Sequence, residues 1–130
     1  MRAIDTNVIV RFLTHDDPVQ WPKAQAVIEA GETYVSSGVL LETEWVLRSV
    51  HKLPPQEIIA SLRAIAGLPG LRVENPELLA IALEWASSGM DLADAFHLAA
   101  AAQCEDLLTF DQRFAKTARS IGATPSVHAL

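Results

Sequence analysis

Short apolar runs alternate with helical patterns along the whole chain. The runs "RAID", "TYVSS", "LRVE" and "DLLTF" are predicted to be short strands, and "ATPSVHAL" is predicted to hold a frayed last strand. Between them apolar residues recur at helical spacing, as in the stripe Ile58, Ile59, Leu62 and Ile65. Strands that alternate with helices predict βαβ units and parallel pairing. The predicted fold class is therefore α/β, a three-layer α/β/α sandwich with a central, mainly parallel sheet.

Two of the predicted helices carry clear end signals. Asp17 is the predicted N-cap of the second helix, with Pro18 at its first position and Gly31 as its stop. Asp91 is predicted to cap the helix "DLADAFHLAAA", which puts Asp94 at the third helical position, where a carboxylate suits the helix dipole. This capping role is a sufficient explanation for Asp91 alone.

Length and composition limit the classes of protein. A chain of 130 residues with 50% hydrophobic residues is predicted to form a single domain over residues 1–130, and with only 6% aromatic residues its core must be mainly aliphatic. The net charge of −6 argues against binding nucleic acid by bulk electrostatics, so any such contact must be local. A single cysteine, Cys104, excludes an internal disulfide and a cysteine-ligated zinc site. With no predicted membrane span, we expect a cytoplasmic protein.

Acidic residues stand at positions where ligands bind in α/β folds. Asp5 follows the first predicted strand and Asp111 follows "DLLTF", and ligands bind outside the carboxyl ends of parallel strands. Alanines surround Asp94 and leave room for close packing. If these acids and Glu42 shared one crevice, their charges would repel unless a cation were present. Oxygen ligands without cysteine or paired histidines favour Mg²⁺ or Mn²⁺ over zinc.

Four segments together resemble one known family. In order and spacing, "AIDTNVIVRFL", "SSGVLLETEWVLRS", "MDLADAFHLAAA" and "LLTFDQRFAK" resemble a PIN domain of the VapC toxin type, and the resemblance covers essentially the whole chain. It implies a Mg²⁺- or Mn²⁺-dependent endoribonuclease that acts on RNA, with a tRNA or rRNA loop as the expected substrate. It also implies a small VapB-like antitoxin as partner and a homodimer.

The resemblance assigns roles to individual residues. It implies an acidic site formed by Asp5, Glu42, Asp94 and Asp111, with Asp91 as an additional metal ligand. Asp5, Asp94 and Asp111 are expected to bind the metal, and Glu42 to bind through water or to accept a proton. Asn7 and Thr109 are expected to support the site by hydrogen bonds. Independently of the resemblance, four cations are candidates for phosphate contacts beside the site, although ordinary surface solvation explains each of them singly at least as well: Arg11, Arg113, Lys116 and Arg119.

Glu44 competes with Glu42 for the role in the site. The two residues lie about 200° apart around a helix, so only one of them can face the crevice. The spacing of the motif favours Glu42.

Two other functions and one placement stay open. A phosphohydrolase of the haloacid-dehalogenase type would use Asp5 as nucleophile, but it usually needs a second acid where Asn7 stands, and a positioned lysine. A non-catalytic module could keep the acids to hold a structural cation or a basic peptide. Trp45 and Trp85 could lie at an interface, although burial in the core is the stronger expectation.

Overall fold

The computed structural model describes all 130 residues. The chain divides into two compact units, Met1–Pro76 and Glu77–Leu130. The assignment of residues 1–130 to a single domain stays a prediction. None of the helices combines the length and the apolar character that a membrane span needs.

The first unit alternates strands and helices. Its elements are β1 (Arg2–Ala3), α1 (Thr6–Thr14), α2 (Gln20–Glu29), β2 (Thr33–Val35), α3 (Ser37–Ser49), α4 (Pro55–Ala66) and β3 (Leu71–Val73). The strands form a parallel sheet in the order β1-β2-β3, in which Thr33 pairs with Arg2 on one side and with Leu71 on the other. Helix α1 packs against both α2 and α3, and α3 packs against α4.

The second unit carries a smaller parallel pair of strands. Helix α5 (Pro76–Ser87) begins at the boundary, and α6 (Leu92–Ala100), β4 (Asp106–Thr109), α7 (Gln112–Ile121) and β5 (Ser126–Ala129) follow. Strands β4 and β5 pair in parallel, and the connecting helix α7 packs against both. The last strand is therefore regularly paired instead of frayed. Because every strand pair in the chain is parallel and helices connect the strands, the predicted α/β fold class is confirmed.

Aliphatic side chains fill the interior of both units. The stripe predicted on α4 is buried as a whole, which confirms that helix and its core face. In α6, small and aliphatic residues take up most of the helix, and the buried ones are Leu92, Ala95, Phe96, Leu98 and Ala99.

Two predicted elements differ at their ends. Strand β1 was expected to be buried and to run to Asp5, but it contains only Arg2–Ala3, and both residues are exposed. Helix α2 begins at Gln20, so Pro18 lies before it. The N-cap of α2 is Val19, so the prediction of Asp17 at that position was wrong. The Asp17 Oδ1 nevertheless accepts hydrogen bonds near the start of the helix, from the backbone N–H groups of Val19 at 2.9 Å and Gln20 at 2.8 Å.

Trp45 was expected to be buried in the core, and this prediction was wrong. This side chain is 54% exposed, whereas Trp85 is half-buried. Helix α3 buries Thr43 and Leu47, and Trp45 lies two residues from each, so its side chain points to the opposite side of the helix.

Candidate active site

Three of the predicted acids lie at helix N-termini. Asp5 Oδ1 accepts a hydrogen bond from the backbone N–H of Thr6 at 2.8 Å and caps α1. In the second unit, Asp91 Oδ1 accepts from the N–H of Asp94 at 3.1 Å, and Asp111 Oδ1 accepts from the N–H of Phe114 at 3.0 Å. The positive end of each helix dipole favours the charged carboxylate. Each cap uses one oxygen and leaves the other without a hydrogen bond, so the second oxygen is available to a ligand.

A threonine links Glu42 to the N-terminus of α1. Thr6, which follows Asp5, is only 6% exposed, and its hydroxyl donates a hydrogen bond to Glu42 Oε1. The packing of α1 against α3 makes this contact. It holds Glu42, an exposed residue in the middle of α3, beside the end of α1 where Asp5 lies.

Sequence analysis missed the role of Thr6 and named its neighbour Asn7 instead. The available signal was spacing, because Thr6 lies three and four residues before the buried Ile9 and Val10 and therefore shares their face of α1. A hydroxyl on a buried helix face needs a hydrogen-bond partner. Glu42 is that partner.

Glu44 is held by a different residue. Its Oε1 lies 2.7 Å from Arg48 Nε, one helical turn further along α3, and its side chain is 14% exposed. The geometry thus agrees with the choice of Glu42, which contacts Thr6. The role of Glu42 in a site stays a prediction.

Three carboxylates influence one another in the second unit. Burial raises the pKa of the Asp94 carboxyl above its ordinary value, and the negative charges of Asp91 and Asp111 raise it further, while His97 acts in the opposite direction. Charged groups of one sign in such proximity disfavour full ionisation unless a cation binds them. The charges of Asp91 and Asp111 therefore both disfavour ionisation of Asp94.

Within each unit, the structure brings some of the predicted acids together. Glu42 reaches the end of α1 through Thr6, and Asp91 and Asp111 act on Asp94. No group of three or more His, Cys, Asp or Glu side chains is arranged to hold a metal ion. One joint site for all the predicted acids stays a prediction.

A comparison with protein families identifies the fold family. The family model described as PIN domain matches residues 3–120. The chain belongs to the PIN domain family. PIN domains belong to a superfamily of metal-dependent nucleases, so the match favours a nuclease over the phosphohydrolase alternative. Searches among curated proteins and among solved structures find no match to this chain.

The two supporting residues of this PIN domain differ in their contacts. Thr109 Oγ1 accepts a hydrogen bond from the backbone N–H of Asp111 at 3.0 Å, which fixes the turn from β4 into α7. Asn7 makes no hydrogen bond and instead lines a groove between α1 and α2. Thr109 is thus hydrogen-bonded to the backbone of Asp111, whereas the Asn7 side chain is hydrogen-bonded to neither Asp5 nor Glu42. The supporting role of both residues stays a prediction.

The predicted phosphate-binding cations are of two kinds. Arg11 is engaged, since its Nη1 lies 3.2 Å from Asp16 Oδ1. Arg113, Lys116 and Arg119 are exposed on α7 and make no ion pair. Their spacing of three residues places them along one side of this helix. The cations on α7 are therefore accessible to an anionic ligand.

Divalent metal is expected to stabilise this PIN domain, and the effect should grow with pH. Because the pKa of Asp94 is raised in the folded state, the stability that its proton contributes is present below the ordinary pKa of 3.8 and is lost as pH rises through the raised value. Metal binds the charged form and offsets that loss. At tenfold excess over Kd, binding contributes about 1.4 kcal/mol, or a rise in Tm of roughly 5 °C.

Thermal melts with Mg²⁺, Mn²⁺ or an equal ionic strength of NaCl, from about pH 4.5 to about pH 7.5, measure this effect. Asp94→Asn is the control, because the amide does not titrate and the shift caused by metal should be smaller and less dependent on pH. The expectation would be contradicted if metal changed the Tm of the wild type at no pH, or if it changed the Tm of Asp94→Asn by the same amount.

Proposed function

We propose that this protein is a Mg²⁺- or Mn²⁺-dependent endoribonuclease, the toxin of a VapBC-type toxin–antitoxin pair. The observation that carries the proposal is the PIN family match over residues 3–120, which includes every predicted acid. The motifs around those acids resemble the VapC type. The proposed substrate is a single-stranded loop of RNA, as in tRNA or rRNA.

The donor set fits a hard divalent cation. Asp5, Asp94 and Asp111 are the proposed ligands, with Asp91 as an additional one. All of these are carboxylates, and hard cations such as Mg²⁺ and Mn²⁺ prefer oxygen. The raised pKa of Asp94 beside Asp91 and Asp111 supports the fit, because a cation would relieve the repulsion that raises it.

The proposed reaction is hydrolysis of a phosphodiester bond. When bound, the divalent ion polarises a phosphoryl oxygen and lowers the pKa of the attacking water. Glu42 accepts a proton from that water while the oxygen of the water forms a bond to phosphorus. The bond from phosphorus to the ribose oxygen breaks, and that oxygen takes a proton from solvent.

Local hydrogen bonds support these roles. Thr6 donates to Glu42 Oε1, which orients the carboxylate and leaves Oε2 for a proton. The caps made by Asp5 and Asp111 fix the position of each carboxylate without using its second oxygen. Groups whose position is set before the substrate binds need little reorganisation during the reaction.

The remaining parts of the proposal concern partners and place. A VapB-like antitoxin would block the site, the toxin would form a homodimer, and both would act in the cytoplasm. RNA approach would depend on the metal, because an acidic pocket in a chain of net charge −6 repels phosphate until a cation reverses the local field.

Cleavage assays with purified protein test the proposal. RNA should be cut in the presence of Mg²⁺ or Mn²⁺, EDTA should stop the reaction, and an excess of Mg²⁺ should restore it. A phosphohydrolase would instead release phosphate from p-nitrophenyl phosphate, and a non-catalytic module would bind metal without cutting. Failure to cut RNA with either metal, or cutting that EDTA leaves unchanged, would overturn the proposal. Sequencing of RNA ends after brief induction in cells would identify the target.

A further inference from the structure

Helices α1 and α2 enclose a groove outside the proposed acidic site. Its volume is about 250 Å³, and it is lined by Asn7, Val8, Arg11, Gln20, Lys23 and Ala24. Asn7 and Arg11 are one turn apart on α1, and Gln20 and Lys23 are one turn apart on α2. Polar side chains of both helices therefore point into the same space.

Two of these side chains hold each other in fixed positions. Arg11 donates from Nε to Gln20 Oε1 at 2.7 Å and from Nη1 to Asp16 Oδ1 at 3.2 Å. The oxygen of Gln20 accepts this bond, and the two N–H donors on Gln20 Nε2 make no hydrogen bond. The Nη2 group of Arg11 also makes none. Because Arg11 and Gln20 are already hydrogen-bonded to each other, these side chains lose less freedom when a ligand binds.

The groove offers donors and positive charge. Lys23 is exposed and makes no ion pair, while the charge of Arg11 is already paired with Asp16. Lys23 therefore contributes an uncompensated positive charge in a chain whose net charge is −6. The unused polar atoms of Arg11, Gln20 and Lys23 are all N–H donors.

We infer that this groove binds a phosphodiester group of the RNA strand, beside the segment that is cut. A phosphate presents only acceptor oxygens, whereas a base edge presents both donors and acceptors. Apart from the amide oxygen of Asn7, the unused polar atoms of the groove are N–H donors, and Lys23 adds a positive charge, so the groove fits the backbone better than a base edge. Asn7, which lines the groove, is two residues from Asp5, so a strand that meets Asp5 passes near the groove. The identity of the polymer rests on the proposed function.

Two pairs of variants test the inference. Lys23→Gln removes the unpaired charge, and Lys52→Gln makes the same change at an exposed lysine outside the groove. Gln20→Glu keeps an oxygen that can accept from Arg11 Nε but adds a negative charge to the groove. Gln56→Glu makes the same change at an exposed position in the first turn of α4. Each control matches its partner in charge and in residue type.

Binding of a fluorescent single-stranded RNA oligonucleotide is measured by anisotropy over a range of salt, with all variants in the Asp5→Asn background. Lys23→Gln should weaken binding about fivefold at about 0.1 M salt and lower the slope of log Kd against log salt by about 0.7, because one phosphate contact is lost. Gln20→Glu should weaken binding at least as much. Both controls should bind as the background does.

The outcomes separate this inference from the proposed function. If each groove variant binds RNA like its matched control, the inference is wrong, whether or not the wild type cuts RNA. If the wild type does not cut RNA but the groove variants still lose affinity and salt dependence, the phosphate site stands and the nuclease proposal fails. In active protein, Lys23→Gln should raise KM and leave kcat unchanged.

Discussion

Asp5→Asn and Asp111→Asn are each expected to lower the rate of RNA cleavage by a factor of about 1,000 or more. Removal of a charged metal ligand takes away several kcal/mol of transition-state stabilisation. The fold should survive, because both residues cap helices through one oxygen, and asparagine caps a helix as well as aspartate does. The loss would therefore report chemistry and not unfolding.

Asp17→Asn is the matched control for this prediction. Asp17 also accepts backbone N–H bonds at the start of a helix, from Val19 and Gln20, but it has no role in the proposed site. This variant should keep its cleavage activity. Asp5→Ala adds a second comparison, because this variant loses both the charge and the cap. Its free energy of unfolding should be about 1 kcal/mol lower than that of Asp5→Asn.

Cleavage of a labelled RNA with Mg²⁺ measures the activity, and circular dichroism with thermal melts measures the fold. If Asp5→Asn and Asp111→Asn are folded and still cut RNA at the rate of Asp17→Asn, these aspartates are caps and nothing more. The metal-dependent mechanism would then need other ligands.

Features set by neighbours along the chain were predictable from the sequence. Asp91 caps α6 and Asp94 is in its first turn, as predicted, because a cap and its partner N–H are only three residues apart. The apolar stripe on α4 was equally local, since helical spacing alone decides which side chains share a face. The parallel pairing followed from the alternation of strands and helices.

Features set by contacts between distant segments were not predictable. The bond from Thr6 to Glu42 joins residues that are 36 positions apart, and only the packing of α1 on α3 creates it. The exposure of β1 depends on which elements pack over it, and its own residues do not specify them. Hydrophobicity placed Trp45 in the core, but the helical face that α3 buries decided otherwise.

Glu42→Gln is expected to lower kcat about 100-fold or more, whereas Glu44→Gln should leave kcat within about twofold of the wild type. A general base must accept a proton, and the side-chain amide of glutamine is too weak a base to do so. Glu44 differs because its carboxylate is paired with Arg48, so its loss should cost only a fraction of 1 kcal/mol of stability, about 0.3–0.5 kcal/mol.

Thr6 provides a second test of the same assignment, because it acts only through Glu42. Thr6→Val keeps the buried volume but removes the hydroxyl that orients Glu42, so kcat should fall while KM stays the same, and Thr6→Ser should restore kcat. In the Glu42→Gln background, Thr6→Val should cause little further loss, since the two changes remove one function. Equal losses in Glu42→Gln and Glu44→Gln, or full activity in Thr6→Val, would mean that another group accepts the proton.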